Sequence, residues 1–279
     1  MREITLEQLL EAGCHFGHQV TRSNPRARDF IFEARDGIHI IDLVKTKEGL
    51  EEAAKYLKNL AKRPDATLLV VGTKRQSHEI LLKEIDRVKG EIKSDAGLFS
   101  VTNKWIGGLL TNFSEVSKNF KKLTDLAHKL STPSEQEGFT KKEVGEWAKE
   151  KEKLEGFYGG VYQLTKNPDA LFIVDSHLED LAVREASRMG VASVAITDTN
   201  SDPSLVDYPI PANDDAVGSL QLIIGYLMDA WIEGRNATQN EKLKIKSQKE
   251  VTKEIDKKAK ESKTEDKPKA EKKVKATKE

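Results

Sequence analysis

The sequence predicts an α/β fold: a three-layer, doubly wound body with an inserted helical hairpin and a polar tail. Short continuous apolar runs such as TLLVVG and ALFIV alternate with longer segments of helical periodicity. Continuous apolar strands separated by helices are typical of a parallel sheet that is covered on both faces. Two charged segments interrupt this alternation, and they explain why the chain is only 37% hydrophobic and 33% charged. We therefore predict a body of residues 1–110 and 157–235, a hairpin of residues 111–156 and a tail of residues 236–279.

The chain is expected to begin with a short helix and a basic loop. Thr5 precedes a run of leucines and is followed by Gln8, which is the pattern of a capping box. This helix should end near Gly13. Residues 19–28 then combine Ser, Asn and Pro with three arginines, a composition that predicts an exposed basic loop.

The remaining strands and helices of the body alternate along the chain. Apolar runs rich in β-branched residues predict the strands, and apolar residues at three- and four-residue spacing predict the helices. Crossovers between parallel strands are expected to be right-handed. The predicted strands are residues 38–43, 67–72, 98–101, 170–174 and 192–196, and the predicted helices are residues 46–62, 77–89, 178–189 and 214–234.

Between the two parts of the body, apolar residues recur at alternating steps of four and three. They predict two helices joined at Pro133, each with one narrow apolar seam among charged or polar positions. Such a pair can bury only its mutual seam, so we expect an antiparallel coiled-coil hairpin that projects from the body. The seam residues are Val116, Phe120, Leu123, Ala127 and Leu130 in the first helix and Val144, Trp147, Lys151 and Leu154 in the second.

The tail is rich in Lys and Glu and poor in large apolar residues, so disorder is expected. Residues 236–279 contain 15 Lys and nine acidic residues, a net charge of +6, which leaves residues 1–235 with a net charge of −6. The whole chain is formally neutral, whereas domains that bind nucleic acid are usually basic. Any contact of the body with RNA must therefore come from local basic patches.

Several features of the sequence bear on its compartment. Cys14 is the single cysteine of the chain, which excludes an internal disulfide framework. The first residues lack a basic segment followed by an apolar one, so a cytoplasmic location is expected. The most apolar long stretch, residues 216–232, is interrupted by two glycines, Gln221 and Asp229. We expect this stretch to form a buried helix and not a membrane span.

An enzymatic function is not predicted, although parallel α/β sheets often bind ligands at the carboxyl ends of their strands. The turn GTKRQS after the second body strand lacks the glycine spacing of phosphate-binding loops. Asp175 and His177 follow another strand, but no nucleophile or ligand set accompanies them, and we interpret Asp175 or Ser176 as a helix cap. Asp198 and Asp202 in DTNSDP are interpreted as turn residues. No small-molecule substrate and no required cofactor are expected.

A compact C-H-x-x-H cluster near the amino terminus raises the alternative of a metal site. Cys14, His15 and His18 are donors that suit Zn²⁺, and His39 is a further candidate if the fold brings it close. The spacing is not a strong zinc signature, because adjacent side chains point in different directions. Packing of these histidines, or their contact with RNA, is favoured over zinc binding.

Basic and aromatic residues in predicted loops form a dispersed set that suits RNA. Phosphate contacts position a protein on a nucleic acid, and aromatic rings can stack on unpaired bases. Each basic residue alone is typical of a solvated surface, and Trp105 is expected to stack on a base or, in preference, to pack beneath the hairpin. The candidate RNA-binding residues are Arg22, Arg26, Arg28, Lys45, Lys74, Arg75, Lys104, Trp105 and Asn112.

Several long segments resemble the bacterial small-subunit ribosomal protein two family. They occur in one collinear order over about residues 3–235, which is more specific than any single motif. One departure is the long tail after Gly234, since many relatives stop soon after the preceding helix, and we interpret this tail as an auxiliary RNA tether. The matching segments are EAGCHFGHQVTRSNPRARDFIFEARDGIHIIDLVKT, LLVVGTKRQ, NKWIGGLLTNF, PDALFIVD, AVREASRMGV and ITDTNSDPSLVDYPIPANDDAVGSLQLI.

The resemblance implies a flavodoxin-like body with an inserted coiled-coil hairpin and a structural role in translation. Members of this family bind small-subunit ribosomal RNA between head and body and help to recruit the large ribosomal protein one. The expected partners are therefore ribosomal RNA, neighbouring small-subunit proteins and ribosomal protein one. Three alternatives remain open: a nucleotide-handling enzyme with a ligand near Gly72, a zinc-stabilised body, and an adaptor that binds proteins through the hairpin.

Overall fold

The computed structural model describes residues 2–92 and 97–238, and residues up to Asn236 form one compact unit. The predicted disorder of residues 236–279 falls outside the described residues, except that 236–238 are helical. Among the described residues, the helices are α1 (Leu6–Glu11), α2 (Leu43–Ala61), α3 (Arg75–Glu91), α4 (Phe113–Ser131), α5 (Pro133–Gln136), α6 (Lys141–Tyr158), α7 (Asp180–Met189) and α8 (217–238). The strands are β1 (Phe16–Gln19), β2 (Ile31–Arg35), β3 (Ile38–Ile41), β4 (Leu68–Val71), β5 (Leu98–Val101), β6 (Ala170–Ile173), β7 (Ala192–Thr197) and β8 (Tyr208–Pro211).

Five parallel strands form the central sheet in the order β5-β4-β6-β7-β8. Counted along the chain within this sheet, the order is 2-1-3-4-5, which is that of flavodoxin-like doubly wound folds. The four strands predicted at 67–72, 98–101, 170–174 and 192–196 are confirmed. The fifth, β8, has the sequence YPIP and was not predicted, because proline is rare in central strands. It lies at an edge of the sheet, where proline is tolerated.

The central sheet is buried on both faces, which confirms the predicted three-layer body. Leu68 and Val70 of β4 belong to one hydrophobic cluster, whereas Leu69 and Val71 belong to another. Successive side chains of a strand point to opposite faces, so the two clusters lie on the two sides of the sheet. The first cluster includes residues of α2, α3 and α8, among them the fully buried Trp231, and the second includes residues of α4 and α7.

The strand predicted at 38–43 does not join the parallel sheet. Its counterpart, β3, lies between β1 and β2 in a separate antiparallel sheet. A two-residue turn of Asp36 and Gly37 joins β2 to β3, and both residues have positive φ, 51° and 78°. Positive φ at both central positions is the type I′ geometry that Asp-Gly favours in tight hairpins. The expectation that this strand belongs to the main sheet was therefore wrong, and the Asp-Gly pair is the sequence signal for the hairpin.

The predicted helices of the body are confirmed, with starts that differ by two or three residues. Thr5 and Gln8 form the expected capping box at the start of α1. The last helix begins at residue 217 and not at 214. In the turn before it, the Asn213 side chain accepts hydrogen bonds from the backbone N–H groups of Asp215 and Ala216, at 2.7 and 2.9 Å.

Helices α4 and α6 pack against each other, and α5 lies in the connection between them. Phe120 and Leu123 of the predicted seam are buried, and most other positions of the pair are exposed or half-buried. An ion pair between Lys122 and Glu150 links the two helices. The pairing of the two helices is observed, whereas coiled-coil geometry and the boundaries 111–156 stay predictions.

Two glycines near this helix pair are expected to respond to alanine in opposite directions. A Cβ at Gly160 would lie 2.1 Å from the carbonyl oxygen of Ser100, so the backbone would have to shift, whereas a Cβ at Gly145 in α6 would meet nothing within 4 Å. We expect Gly160→Ala to lower the free energy of unfolding by about 1–3 kcal/mol and Gly145→Ala to raise it by about 0.5–1 kcal/mol. Urea denaturation of both variants measures this difference, and similar midpoints for the two would contradict the close approach at Gly160.

Candidate functional site

Six charged or titratable residues meet at the carboxyl edge of the central sheet. The carboxyl ends of parallel strands lie along one edge, which is where doubly wound folds bind ligands. Five of the six follow strands β4, β6, β7 and β8, and the sixth comes from β1. The edge cluster, as we call this group, consists of His18, Lys74, Asp175, Asp198, Asp214 and Asp215.

Lys74 is the ammonium centre of the edge cluster. Its Nζ lies 3.0 Å from Asp175 Oδ2 and 2.8 Å from Asp214 Oδ1. A third carboxylate oxygen, Oδ1 of Asp215, lies 2.7 Å away. Burial lowers the pKa of Lys74, but the surrounding carboxylates, Asp214 first, raise it above the usual lysine value. The ammonium is therefore charged and already bonded within the protein.

His18 of β1 contributes the imidazole of the edge cluster. Its Nδ1 lies 3.1 Å from Asp198 Oδ2, and its Nε2 lies 3.7 Å from Asp215 Oδ2. The hydrogen bond with Asp198 raises the pKa of His18 more than burial lowers it. The position of this histidine depends on Gly17, since a Cβ there would lie only 2.7 Å from the Thr199 side chain. Glycine thus allows β1 to approach the loop after β7 closely.

Asp214 carries the least compensated charge of the edge cluster. Its side chain has no solvent exposure, and while Oδ1 accepts a hydrogen bond from Lys74, Oδ2 is buried without a hydrogen-bond partner. Burial, together with the charges of Asp175 and Asp198, raises the pKa of Asp214 to about 7, despite the opposing effect of Lys74. A single ammonium shared among several carboxylates explains why the pKa of Lys74 and that of Asp214 both rise.

The four metal candidates of the sequence do not come together. Among the residues that the structure describes, the one group with metal-ligand spacing is His18, Asp198 and Asp214, which contains only one of them. Burial raises the pKa of the Cys14 thiol, which disfavours the thiolate that metals bind. His15 packs on Phe16 with ring centroids 4.0 Å apart, and burial lowers its pKa. The Nδ1 atom of His39 is buried without a hydrogen-bond partner.

The candidate RNA-binding cations divide into two groups. Three are bonded within the protein: Lys74 in the edge cluster, Arg26 with Nη1 2.7 Å from Asp202 Oδ2, and Lys45, whose ammonium donates to the Asp29 carbonyl. The other four are exposed, and none has an ion-pair partner in the described ranges 2–92 and 97–238. This second group, the free cations, consists of Arg22, Arg28, Arg75 and Lys104.

Trp105 and Asn112 flank a turn that is tied to one buried carboxylate. Trp105 is only 6% exposed, its Nε1 donates to Glu185 Oε1 at 3.2 Å, and the indole lies in the same hydrophobic cluster as Phe120 of α4. Asn112 is exposed at the start of α4. Glu185 also accepts hydrogen bonds from the backbone N–H groups of Gly108 at 2.8 Å, Leu110 at 3.1 Å and Thr111 at 3.2 Å. The turn in NKWIGGLLTNF is therefore held by α7.

Comparison with known proteins identifies the family of the chain. The family model described as Ribosomal protein S2 matches residues 9–234, which is most of the described structure. The chain belongs to the ribosomal protein S2 family. A curated relative from Coprothermobacter proteolyticus, named Small ribosomal subunit protein uS2, is 46% identical over 239 residues, which cover 86% of this chain and 85% of the relative. This is a family of structural proteins and not of enzymes, which confirms the non-enzymatic expectation.

Two aspartates of this S2-family chain have the structural roles predicted for them. Asp175 Oδ1 accepts hydrogen bonds from the backbone N–H groups of His177 and Leu178, at 2.9 and 2.8 Å, and so caps the turn before α7. Asp202 accepts from the backbone N–H of Ser204 at 3.0 Å, as expected of a turn residue. Asp175 has a second contact that was not foreseen, the ion pair with Lys74.

Two buried carboxylates of this S2-family chain, Glu185 and Asp214, were missed by sequence reasoning. Glu185 lies in the helix-forming segment AVREASRMGV, where a glutamate is ordinarily an exposed helix former. Asp214 was assigned only to the start of a helix. Both residues are defined by partners at least 74 positions away in sequence, so no local pattern marks them. In the part of the chain that the structure describes, no helix is both long enough and apolar enough to cross a membrane.

Proposed function

We propose that the chain is a structural constituent of the small ribosomal subunit that binds ribosomal RNA between head and body. The observation that carries this proposal is the 46% identity, over 86% of the chain, with a relative named as a small ribosomal subunit protein. Identity of this extent supports the same assembly for both proteins. The proposal implies a cytoplasmic, ribosome-bound chain whose partners are ribosomal RNA and neighbouring proteins of the small subunit.

The free cations are the residues best suited to contact RNA phosphates. Arg75 begins α3 directly after Lys74, and Lys104 follows β5 on the neighbouring strand of the sheet. Arg22 lines a cleft beside His18, and Arg28 lies in the same loop region. Because residues 1–235 are net acidic, these exposed cations provide local positive charge that the whole body lacks. The bonded cations Arg26, Lys45 and Lys74 would instead hold the loops in position.

The helix pair α4–α6 is the part of the chain best placed to reach beyond the body. We propose that it is an antiparallel coiled-coil hairpin that contacts neighbouring components of the subunit. We also propose that the chain supports the docking of ribosomal protein one. The exposed, highly charged surfaces of α4 and α6 support a role in contacts with other macromolecules, because such surfaces do not bury themselves in the body.

Removal of two free cations is expected to weaken RNA binding in a salt-dependent way. For the Arg22→Ala/Arg28→Ala variant, the slope of log affinity against log salt concentration should fall by about 1.4–1.8, or about 0.7–0.9 for each lost phosphate contact. Filter binding of the full chain to small-subunit ribosomal RNA between about 50 and 200 mM salt measures the slope. The control is Lys83→Ala, which removes an exposed lysine that pairs with Glu79 at 2.7 Å.

Sedimentation of small subunits from cell extracts tests the proposed function of the wild-type chain. The wild-type chain should co-sediment with small subunits, and subunits that carry it should retain ribosomal protein one. A wild-type pool found only free of ribosomes would contradict the proposed function. An unchanged salt slope in the Arg22→Ala/Arg28→Ala variant would contradict only the assignment of these two arginines as RNA-binding residues, and not the proposed function.

A further inference from the structure

We propose that the far end of the helix pair α4–α6 binds an unpaired RNA base by stacking it on an aromatic ring. This end, which we call the aromatic tip, consists of Lys129 of α4, Phe139 in the connection, and Lys141, Lys142 and Trp147 of α6. None of the five is among the candidate RNA-binding residues of the sequence. The inference rests on the proposed RNA-binding function and adds to it a site and the kind of nucleotide that the site takes.

Two aromatic rings lie together at the aromatic tip. The ring centroids of Phe139 and Trp147 are 4.7 Å apart and the ring planes are inclined at 63°, an edge-to-face arrangement. Trp147 is half-buried, and the Lys129 ammonium lies 5.5 Å from the centre of its indole. Phe139 remains 50% exposed. The indole therefore supports the phenyl ring, and the ring offers its exposed surface to a partner.

The connection that carries Phe139 is fixed at both ends. Gln136 Nε2 donates to two carbonyl oxygens near the end of α4, at 3.2 and 3.0 Å. Thr140 and Glu143 form a capping box at the start of α6. The backbone N–H of Phe139 donates to the Gln136 carbonyl at 3.2 Å. The phenyl ring is therefore held in place before a ligand arrives, which lowers the entropic cost of binding.

Exposure of Phe139 alone would not indicate a site, because single exposed apolar side chains are common on protein surfaces. Among residues 113–158, the two large apolar side chains that are exposed are Phe139 and Phe157. Phe157 precedes Tyr158, which is buried against the body. Phe139 lies at the opposite end of α6, where it is combined with a second ring and three ammonium groups. This combination carries the inference.

The charged neighbours favour RNA over an apolar protein surface. Lys129, Lys141 and Lys142 are exposed, and none of them has an ion-pair partner within residues 2–92 and 97–238, which the structure describes. Two nearby carboxylates are already used, since Glu135 lies 3.1 Å from an imidazole of α4 and Glu143 belongs to the capping box. Proteins that bind single-stranded RNA place ammonium groups beside exposed rings, with phosphates on the cations and a base on the ring.

Stacking, and not net charge, would supply the affinity of the aromatic tip. Residues 128–149 contain four lysines and four glutamates, so this segment is formally neutral. The slope of log affinity against log salt concentration reports neutralised phosphates, so loss of a stacked base should lower the affinity and leave the slope unchanged. The base is expected to be unpaired, because bases within an RNA duplex are not open to an aromatic ring.

Tryptophan fluorescence of the full chain measures the stacking. The chain has three tryptophans, and since Trp105 and Trp231 are at most 6% exposed, Trp147 is the one that a ligand at the surface can quench. Single-stranded oligoadenylate should quench the emission of the wild type, and duplex RNA of the same length should quench it much less. Trp147→Phe should show no quenching. Equal quenching by the two RNAs, quenching that persists in Trp147→Phe, or no quenching of the wild type would overturn the proposal.

Filter binding to small-subunit ribosomal RNA measures the contribution of the ring. Phe139→Ala should bind about 5- to 150-fold more weakly than the wild type, with an unchanged salt slope. Phe139→Tyr keeps an aromatic ring and should bind like the wild type. The matched control is Phe157→Ala, which removes an exposed ring at the other end of α6 and should leave the affinity unchanged. Far-UV circular dichroism checks that the helices are retained, and Phe139→Leu replaces Phe139→Ala if they are not.

The outcomes separate this inference from the proposed function. Full RNA affinity of the folded Phe139 variant would overturn the inference, while RNA binding by the wild type would leave the proposed function intact. Full RNA affinity together with weaker co-sedimentation with small subunits would assign the aromatic tip to a protein partner, and this result would also overturn the inference. A wild-type chain that binds no ribosomal RNA would contradict the proposed function and the inference together.

Discussion

Glu185→Ala is expected to lower the free energy of unfolding by about 3–5 kcal/mol. The buried carboxylate accepts hydrogen bonds from the Trp105 indole and from the backbone of the turn at residues 108–111. Alanine would leave the buried donors of Trp105 and Leu110 without an acceptor, and each such donor costs about 1–3 kcal/mol. Urea denaturation at pH 7 measures the loss. Arg184→Ala, in the same helix but exposed and paired with Asp180, is the control and should leave the free energy of unfolding close to that of the wild type.

The contribution of Glu185 should also depend on pH. Burial raises its pKa, but the hydrogen bonds from Gly108 and the other donors outweigh burial and lower the pKa below the usual glutamate value. A carboxyl group with a lowered folded-state pKa contributes stability that is present above its unfolded pKa of about 4.3 and is lost as the pH falls through the folded pKa. The stability difference between wild type and Glu185→Ala should therefore shrink below about pH 4. A difference that stays constant down to pH 3 would contradict this account.

Lys74→Met is expected to destabilise the fold by a similar amount, about 3–5 kcal/mol at neutral pH. Methionine keeps most of the apolar stem but leaves Asp175, Asp214 and Asp215 facing one another without their shared ammonium. Removal of one partner from a buried charge network is costly because the remaining charges are uncompensated. Thermal or urea denaturation measures the loss. Lys83→Met, which breaks an exposed pair, should change stability by less than about 1 kcal/mol.

The cost of Lys74→Met should fall as the solution becomes acidic. The pKa of Asp214 is already raised to about 7 in the wild type, and loss of the ammonium would raise it further. Protonation of this carboxyl removes the unpaired buried charge. The free energy of unfolding of the variant should therefore be closest to that of the wild type near pH 5 and furthest from it near pH 8. This window follows from the raised pKa of Asp214, because Lys74 itself stays protonated throughout it. A larger stability difference at pH 5 than at pH 8 would contradict the proposed charge network.

The central sheet could be predicted from the sequence because its signals are local. Continuous apolar runs that are buried on both faces identify four of its strands, and the helices between them show the expected periodicity. The strand β8 was missed because its two prolines resemble a loop. The strand β3 was predicted but assigned to the wrong sheet. Asp36-Gly37 is a typical type I′ hairpin turn, and it was not used as evidence for an antiparallel pair.

The candidate site could be predicted only in part, because its contacts join distant parts of the chain. His18 was singled out in the sequence only as one of four metal candidates, and its partner Asp198 lies 180 positions further along the chain. The cations of the basic loops were recognised as surface residues, whereas the acidic partners of Lys74 and Arg26 follow other strands. Tertiary contacts decide which charged side chains are paired within the fold and which are free to bind a ligand. Such contacts produce no periodic pattern in the sequence.

The two prolines of β8 also hinder pairing of the sheet edge with a strand of another molecule. The backbone N–H of Ala212 donates to the Thr197 carbonyl of β7, and N–H groups of a strand alternate between its two sides. The nitrogens of Pro209 and Pro211 therefore face away from β7, where they offer no hydrogen to an incoming chain. Helix α2 covers this side of the strand, since the Thr46 hydroxyl donates to the Pro211 carbonyl and a Cβ at Gly49 would lie 2.6 Å from the Pro209 carbonyl oxygen. An unfolded or partly assembled neighbour finds no regular row of donors there, which limits edge-to-edge aggregation.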